Sequence, residues 1–319
     1  MNVLIIGDFP VSTKQKIYKV FPQEWQVHIT NLRSAPLYLS SAEAIIPEHI
    51  PVNSSLLKQA PQLKIIQTGA GYDNVDVAEC THRGIKVCNA AGVNANAVVE
   101  HTLALILSWF KNIPYLDCFM KDQQPASQLT YNGAEIAGKT LGIVGLGNVG
   151  ARMAHIELAL NMNVLAYNHH PRHISGVRMV DLPTLYKNSD IISLHIAATP
   201  ATHHLINSQA FQQMKSSALL VNTSRGSIVD EAALISALQT HEIAGACLDV
   251  FEQEPLPMDS PLRHLSNVIL TPHTAGLPDS VKFHRRRYEF FKENLTRFAK
   301  GEKPKNLVNQ WFGKLYFSS

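Results

Sequence analysis

The glycine-rich stretch Gly138-Lys-Thr-Leu-Gly-Ile-Val-Gly-Leu-Gly-Asn-Val-Gly150 decides the fold of this chain. Residues 140–144 are a short apolar run with no room for a helix before the glycines, which predicts a buried parallel strand. Gly145, Gly147 and Gly150 then follow with the GxGxxG spacing. In that spacing the first glycine permits a tight turn, the second lets a pyrophosphate approach, and the third lets helix and strand pack closely. Because the next helix would direct its N-terminal N–H groups at phosphates, the stretch predicts a dinucleotide-binding site.

The second strand of this motif, residues 164–167, ends at Asn168. An acidic residue about 20 residues after the glycines usually holds the ribose hydroxyls of NAD. Here Asn168 is followed by His169, His170, Pro171 and Arg172. No carboxylate stands there to repel a 2′-phosphate, so we predict that NADP(H) is preferred and NAD(H) possible. In the alternative interpretation, Asn168 hydrogen-bonds the ribose of NAD.

Length and composition predict an ordinary protein of the cytoplasm. The chain has 319 residues, natural for two domains, and a net charge of +3, which gives no general case for nucleic-acid binding. Its four cysteines form no C-x-x-C pair, as expected of reduced thiols. The N-terminus lacks the basic region of a signal peptide, and the most apolar segment, residues 97–110, is too short to cross a membrane. We therefore expect no nucleic-acid partner and no membrane association.

Two adjacent histidine pairs, His169-His170 and His203-His204, raise the question of a metal site. Neighbouring residues on a strand seldom face one ligand together, so no metal is expected.

Short apolar runs alternate with helical patterns along the rest of the chain, which predicts an α/β fold with parallel sheets. After the glycine loop, further strands are predicted at residues 190–195, 218–222, 245–249 and 268–270, giving a six-stranded doubly wound sheet. Before it, strands are predicted at residues 3–6, 26–30, 42–46 and 64–67. Residues 94–110 predict a long, mostly buried helix, and a helix from residue 278 to about 299 is expected to pack on the first domain.

Gly69-Ala70-Gly71 follows a predicted strand and is the second notable feature. Two glycines around a small residue can expose backbone N–H groups in a concave anion site, where a carboxylate could bind. The alternative is a plain turn in which Asp73 or Asn74 caps the next helix.

Four polar residues lie at or soon after the carboxyl ends of predicted strands, where ligands bind in open α/β sheets: Arg225, Asp249, Glu254 and His273. Reducing a ketone with hydride needs an anchor for an anionic substrate, charge relief at the carbonyl oxygen, and a proton donor. A guanidinium supplies the first two and an imidazole the third. A carboxylate bonded to the other ring nitrogen would fix the imidazole tautomer. Arg225, Glu254 and His273 are therefore a sufficient set for reducing a 2-oxo acid.

Six sequence blocks, in the right order, are similar to those of the D-isomer-specific 2-hydroxyacid dehydrogenase family, and in particular to glyoxylate/hydroxypyruvate reductases. These blocks are Gly69-Ala-Gly-Tyr-Asp-Asn-Val-Asp76, Asn94-Ala-Asn-Ala-Val-Val-Glu-His-Thr102, Gly145-Leu-Gly-Asn-Val-Gly150, Asn222-Thr-Ser-Arg-Gly-Ser-Ile-Val-Asp230, Leu248-Asp-Val-Phe-Glu-Gln-Glu-Pro255 and Thr271-Pro-His273. The resemblance covers about residues 64–309, most of the chain.

The resemblance implies two Rossmann-like domains, with the cofactor domain (97–277) inserted into a discontinuous substrate domain (1–96 and 278–319). It implies a homodimer built on the cofactor domains, a small 2-oxo or 2-hydroxy acid as substrate, and a cleft active site. Arg225 would anchor the substrate, His273 act as acid/base and Glu254 as its partner, with Gly69, Ala70 and Gly71 at the substrate carboxylate. The implied cofactor-binding residues are Thr102, Gly145, Gly147, Asn148, Val149, Gly150, Asn168, His169, Ile196, Thr223, Ser224, Arg225, Asp249, His273 and Gly276.

One hypothesis from a different class stays open at this point. The same fold serves as a dinucleotide-sensing corepressor in C-terminal-binding proteins, which also keep the Arg, Glu and His. A sensor of that kind would bind NAD(P)H tightly but turn over poorly on every 2-oxo acid.

Overall fold

A computed structural model describes residues 1–48, 50–122, 125–170, 172–277 and 285–309. The strands are β1 (Asn2–Ile6), β2 (Gln26–Thr30), β3 (Ala44–Pro47), β4 (Ile65–Gln67), β5 (Lys86–Cys88), β6 (Thr140–Val144), β7 (Asn163–Tyr167), β8 (Val177–Met179), β9 (Ile191–Leu194), β10 (Leu219–Asn222), β11 (Gly245–Leu248) and β12 (Val268–Leu270). The helices are α1 (Val11–Tyr18), α2 (Pro36–Leu39), α3 (Ser54–Lys58), α4 (Val77–His82), α5 (Ala95–Phe110), α6 (Ile113–Lys121), α7 (Asn148–Ala159), α8 (Leu182–Asn188), α9 (Ser208–Phe211), α10 (Glu231–Gln239) and α11 (Arg285–Ala299).

The chain divides into two compact units, and the second is inserted into the first along the sequence. The first unit comprises Met1–Asn94 with Leu277–Ser319, and the second comprises Ala95–Gly276. The sequence predicts the inserted domain at residues 97–277, within two residues of these boundaries. The roles of the two units as substrate and cofactor domains stay predictions.

The first unit is built on a five-stranded parallel sheet in the order β2-β1-β3-β4-β5. Successive residues of β1 enter apolar clusters on opposite faces, as the alternation of side chains along a strand requires. On one face α11 buries Phe291 and Leu295 against the sheet. The prediction that the C-terminal helix packs on this domain is confirmed for residues 285–299, whereas residues 278–284 lie outside the described part of the chain.

The second unit is built on a seven-stranded parallel sheet in the order β12-β11-β10-β9-β6-β7-β8. This is the doubly wound arrangement, in which strand order reverses at β6, and it confirms the predicted α/β class with two Rossmann-like sheets. The predicted strand count of six was wrong, because β8 adds a seventh strand at the edge. That strand has only three residues and none is fully buried, so it gives no apolar run in the sequence.

Helix α5 matches the prediction in position but not in burial. Its buried residues lie along one side and include Val98, Thr102 and Ile106, whereas Leu103 and Leu107 are only partly buried. Its last turn packs on β11, since a β-carbon at Gly245 would stand 2.0 Å from the indole of Trp109. The helix therefore keeps a partly exposed apolar side in the isolated chain.

One carboxylate in the core lacks a partner. Glu157 on α7 is fully buried, and neither carboxylate oxygen makes a hydrogen bond to any described residue. Helix α7 packs against α5, β6 and β7. Burial raises the pKa of Glu157 from 4.5 to about 7. The group is therefore protonated in the folded protein over a pH range in which it is ionised in the unfolded chain.

Stability should consequently fall as pH rises through that range. Between pH 4.5 and about 7 the folded state binds more protons than the unfolded state, so the free energy of unfolding decreases with pH, by about 3 kcal/mol in all. We expect Glu157→Gln to remove this slope, measured by urea unfolding from pH 5 to 8. Glu100→Gln, at an exposed position on α5, is the matched control and should keep the slope. A slope of wild-type size in Glu157→Gln would contradict the assignment.

Candidate active site

The glycine loop between β6 and α7 has the geometry that its spacing predicts. Gly145 has φ +99°, in the left-handed region, and a β-carbon there would stand 2.5 Å from Ile196 Cγ2. A β-carbon at Gly150 would stand 2.0 Å from the carbonyl oxygen of Gly145, so only glycine permits this packing of helix on strand. By contrast, a β-carbon at Gly147 would meet nothing within 4 Å. Space is thus left open where the N-terminus of α7 begins, as a pyrophosphate requires.

The residues around this loop fit a dinucleotide. Asn148 and Val149 form the first turn of α7, behind Gly147 as its N-cap. At the end of β7, Asn168 Oδ1 accepts a hydrogen bond from the backbone N–H of Leu146 at 2.9 Å. Arg172 donates to the carbonyl oxygen of Leu146, so its guanidinium lies beside the glycine loop. His169 is exposed next to Asn168.

Two predicted cofactor-binding threonines are buried and joined to each other. The hydroxyl of Thr102 on α5 lies 2.9 Å from that of Thr223, directly after β10, and donates to the carbonyl oxygen of Val98 at 2.7 Å. Thr102 is wholly inaccessible and Thr223 nearly so. In the isolated chain their hydroxyls therefore connect α5 to the β10 loop, and a contact with the cofactor stays a prediction.

The loop after β10 presents Arg225. The buried side chain of Asn222 accepts from the N–H of Ser224 at 3.0 Å and donates to the carbonyl oxygen of Arg225 at 2.9 Å. Gly226 lies against the loop after β11, where a β-carbon would stand 1.9 Å from the carbonyl of Phe251. This close approach of two loops brings the Arg225 segment next to the segment that carries Glu254.

Asp249, directly after β11, organises the loop that carries His273. Its Oδ1 accepts from the hydroxyl of Thr271 at 2.6 Å and from the N–H of Thr274 at 2.9 Å, and its Oδ2 accepts from the N–H of Ala275 at 2.8 Å. The N–H of His273 donates to the carbonyl oxygen of Asp249 at 2.8 Å. These bonds hold His273 at φ +54°, a conformation that costs a non-glycine residue energy and is typical of functional loops. Gly276 ends this loop.

His273 and Glu254 form a close pair. The Nδ1 atom of His273 lies 2.5 Å from Oε2 of Glu254, and the other carboxylate oxygen accepts from the N–H of Phe251 at 3.1 Å. Burial acts to raise the pKa of Glu254, but the bonds from His273 and Phe251 and the charge of Arg225 outweigh it and hold that pKa below its usual value. An ionised carboxylate only accepts, so the proton of this bond sits on Nδ1. The pair borders an open pocket of about 530 Å³.

Sequence reasoning assigned no role to Thr271 or to His101 on α5. The Nε2 atom of His101 lies 3.0 Å from the hydroxyl oxygen of Thr271. That hydroxyl gives its one proton to Asp249, so it accepts from His101, whose Nε2 must carry a hydrogen. The available signal was a histidine in a mostly apolar helix, because a buried polar group needs a hydrogen-bond partner.

In the first unit, Gly69-Ala70-Gly71 follows β4, and two of its carbonyl groups accept hydrogen bonds. The carbonyl oxygen of Gly69 accepts from the N–H of Ala90 at 2.8 Å, and that of Ala70 from the side chain of Asn89 at 2.9 Å. The three N–H groups donate to no other described residue. Helix α4 is capped by Asp76, which accepts from the N–H of Glu79, so the alternative that Asp73 or Asn74 caps it was wrong. Unused N–H groups are what an anion site requires.

The described ranges contain neither a candidate metal site nor a candidate membrane span. No group of three or more His, Cys, Asp or Glu side chains there could hold a metal ion. No helix in that part of the chain is both long and apolar enough to cross a membrane.

Comparison with known proteins agrees with this geometry. Residues 103–275 match the family model described as D-isomer specific 2-hydroxyacid dehydrogenase, NAD binding domain, and they make up more than half of the chain. The chain belongs to this family. It is an NAD(P)-dependent oxidoreductase that acts on 2-hydroxy acids. The family model describes an NAD-binding domain, so this dehydrogenase uses a nicotinamide cofactor.

Relatives of this dehydrogenase include enzymes for either cofactor. A glyoxylate reductase of Korarchaeum cryptofilum (strain OPF8) is 40% identical over 271 residues, covering 82% of this chain and 80% of the relative. The D-lactate dehydrogenase of Aquifex aeolicus, solved with NAD and lactic acid, is 31% identical with a TM-score of 0.81, covering 98% of each chain. The NADPH-dependent glyoxylate/hydroxypyruvate reductase of Sinorhizobium meliloti, solved with NADP and malonate, is 25% identical with a TM-score of 0.86, covering 96% of each chain.

Proposed function

We propose that this dehydrogenase reduces small 2-oxo acids such as glyoxylate and hydroxypyruvate, with NADP(H) as its preferred cofactor. The observation that carries the chemistry is the 2.5 Å contact between His273 and Glu254 beside Arg225. The substrate class is supported by the glyoxylate and glyoxylate/hydroxypyruvate reductases among the relatives.

In this proposal each residue has one task. When bound, the nicotinamide supplies the hydride. Arg225 holds the substrate carboxylate and polarises the carbonyl oxygen, because a guanidinium offers several donors in one plane. His273 gives the proton on Nε2 to that oxygen, and Glu254 stabilises the imidazolium through Nδ1. The N–H groups of Gly69, Ala70 and Gly71 are proposed to bind the substrate carboxylate as well.

The function is tested by oxidation of NADPH and NADH at matched concentrations, with glyoxylate, hydroxypyruvate, pyruvate and phenylpyruvate. Turnover of the smaller acids supports the proposal. Tight cofactor binding without turnover of any of the four would instead favour the dinucleotide-sensing hypothesis.

The preference for NADP(H) is proposed from the residues at the end of β7. Asn168 is neutral, and the guanidinium of Arg172 lies beside the glycine loop through its bond to Leu146. A 2′-phosphate would meet no negative side chain there and would have a cation at hand.

Replacing Asn168 with Asp should reverse this preference. The new carboxylate would repel a 2′-phosphate and accept from ribose hydroxyls, so the ratio of kcat/KM for NADPH to that for NADH should fall about a hundredfold. Asn163→Asp adds the same charge at the exposed opposite end of β7 and is the matched control. Equal ratios in the two variants would contradict the proposed role of Asn168.

We further propose a homodimer formed through the second unit. Exposed apolar side chains lie on α6 and on the loop that follows it, where Ile113 is 51%, Met120 74% and Tyr131 54% accessible. Burying such a patch against a second copy would remove it from water.

Met120→Glu should therefore shift the protein from dimer to monomer, measured by size-exclusion chromatography with light scattering. Met258, also in the second unit and 82% accessible, provides the control variant Met258→Glu, which should stay dimeric. A monomeric wild type would rule out the dimer.

A further inference from the structure

The carboxyl edge of the first sheet carries a charged pair that the proposed chemistry does not use. Strands β3 and β4 are neighbours, and Glu48 and Gly69 follow them at this edge. In open parallel sheets ligands bind at this edge, near the point where strand order reverses, which here lies between β1 and β3. Gly7, directly after β1, makes room for Glu48, because a β-carbon there would stand 2.9 Å from Glu48 Cβ.

Helix α11 brings a guanidinium to the same place. Arg287 donates from Nη2 to Glu48 Oε1 at 3.0 Å, and the hydroxyl of Tyr288 donates to the same oxygen at 2.6 Å. The Nη1 atom of Arg287 lies 3.9 Å from the point where a β-carbon on Gly69 would stand. The side chain of Arg287 is 18% accessible and that of Glu48 is 11% accessible, so the pair is largely removed from water. The Nε atom of Arg287 is fully buried and donates to no described residue.

We infer that Arg287 and Glu48 recognise the substituent at C3 of the 2-oxo acid and select a hydroxyl over an alkyl group. This rests on the proposed function, in which Gly69, Ala70 and Gly71 bind the substrate carboxylate. The pair offers guanidinium donors beside a carboxylate acceptor. A substrate hydroxyl can accept from Arg287 and donate to Glu48, so it satisfies both side chains. A methyl group would desolvate the pair and return no hydrogen bond. A second carboxylate would be attracted by Arg287 but repelled by Glu48.

The test compares kcat/KM for hydroxypyruvate and 2-oxobutanoate, which differ only by hydroxyl against methyl, with glyoxylate as the substrate that lacks C3. Sites built to bind a substrate hydroxyl reject the analogue strongly, so the wild type should favour hydroxypyruvate by about a hundredfold or more. In Arg287→Met, kcat/KM for hydroxypyruvate should exceed that for 2-oxobutanoate by no more than about tenfold. Arg285→Met, on an exposed position of the same helix, should keep the wild-type ratio.

A second variant keeps the inference testable if Arg287→Met does not fold. Glu48→Gln leaves the guanidinium uncompensated and should raise kcat/KM for 2-oxosuccinate relative to 2-oxobutanoate by about tenfold. The inference would be overturned if the wild type had similar kcat/KM for hydroxypyruvate and 2-oxobutanoate, or if neither variant changed its ratio. Turnover of glyoxylate would in that case leave the proposed function intact. A wild type that reduces none of these acids fails the proposed function itself, and the inference with it.

Discussion

Replacing His273 with asparagine is expected to lower kcat for 2-oxo acid reduction by about 10²- to 10⁴-fold, the usual contribution of a positioned acid or base. Asparagine is chosen because position 273 has φ +54°, which asparagine tolerates. The loss follows from removing the nitrogen that gives its proton to the carbonyl oxygen. Steady-state kinetics measures it, and the dissociation constant for NADPH should stay within a few-fold of wild type.

The chain offers a matched control for this variant. His204 also has positive φ, at +50°, and its Nε2 lies 2.5 Å from Oε1 of Glu252. His204→Asn removes the same kind of pair and should leave kcat near wild type. Glu254→Gln should cost less than His273→Asn and move the pH–rate profile of reduction toward lower pH, because the imidazolium loses its countercharge. If His273→Asn kept most of the rate, the proton donor would have to be sought elsewhere.

Local patterns predicted the glycine loop well because its physics is local. The strand before it, the positive φ of Gly145 and the tight packing of Gly150 all follow from a few adjacent residues. The strand ends that carry Arg225, Glu254 and His273 could also be predicted, since parallel strands place their carboxyl ends on one edge.

What the sequence could not show were contacts between distant segments. Asp249 binds a loop more than twenty residues further on, and its contacts with Thr271 and Ala275 depend on how that loop folds back. The edge strand β8 has too few buried residues to leave a pattern. The pairing of Glu48 with Arg287 joins segments 239 residues apart, and neither side chain stands out in its own segment.

Burial of particular side chains was equally hidden. Glu157 lies in a helix whose composition looks like that of any surface helix, yet its carboxylate is enclosed. Thr102 is also fully buried, and the helix sequence does not reveal that its hydroxyl bonds Val98 and Thr223. Both outcomes depend on how α5 and α7 pack together, which a single sequence does not specify.

Arg225→Gln is expected to lower kcat/KM for 2-oxo acids by about 10³-fold or more, because the variant loses the substrate anchor together with the charge that polarises the carbonyl. Arg225→Lys should recover only part of the loss, since an ammonium keeps the charge but not the planar array of donors. The loop itself should survive, because Asn222 holds it through backbone atoms of Ser224 and Arg225.

The sharpest readout of Arg225 is the separation of substrate binding from cofactor binding. Fluorescence titration with NADPH should give similar dissociation constants for wild type and Arg225→Gln, while both KM and kcat for the 2-oxo acid deteriorate. Arg178→Gln, at an exposed position on β8, removes an equal charge and should change neither the NADPH dissociation constant nor the kinetic constants for the 2-oxo acid.

The charge of Arg225 also helps to hold the pKa of Glu254 low, so Arg225→Gln should weaken Glu254 as a countercharge for His273. Removing the arginine would then cost acid/base chemistry as well as binding, and Arg225→Gln combined with Glu254→Gln should lose less than the product of the two single losses. Independent, multiplying losses would show that the two residues act separately.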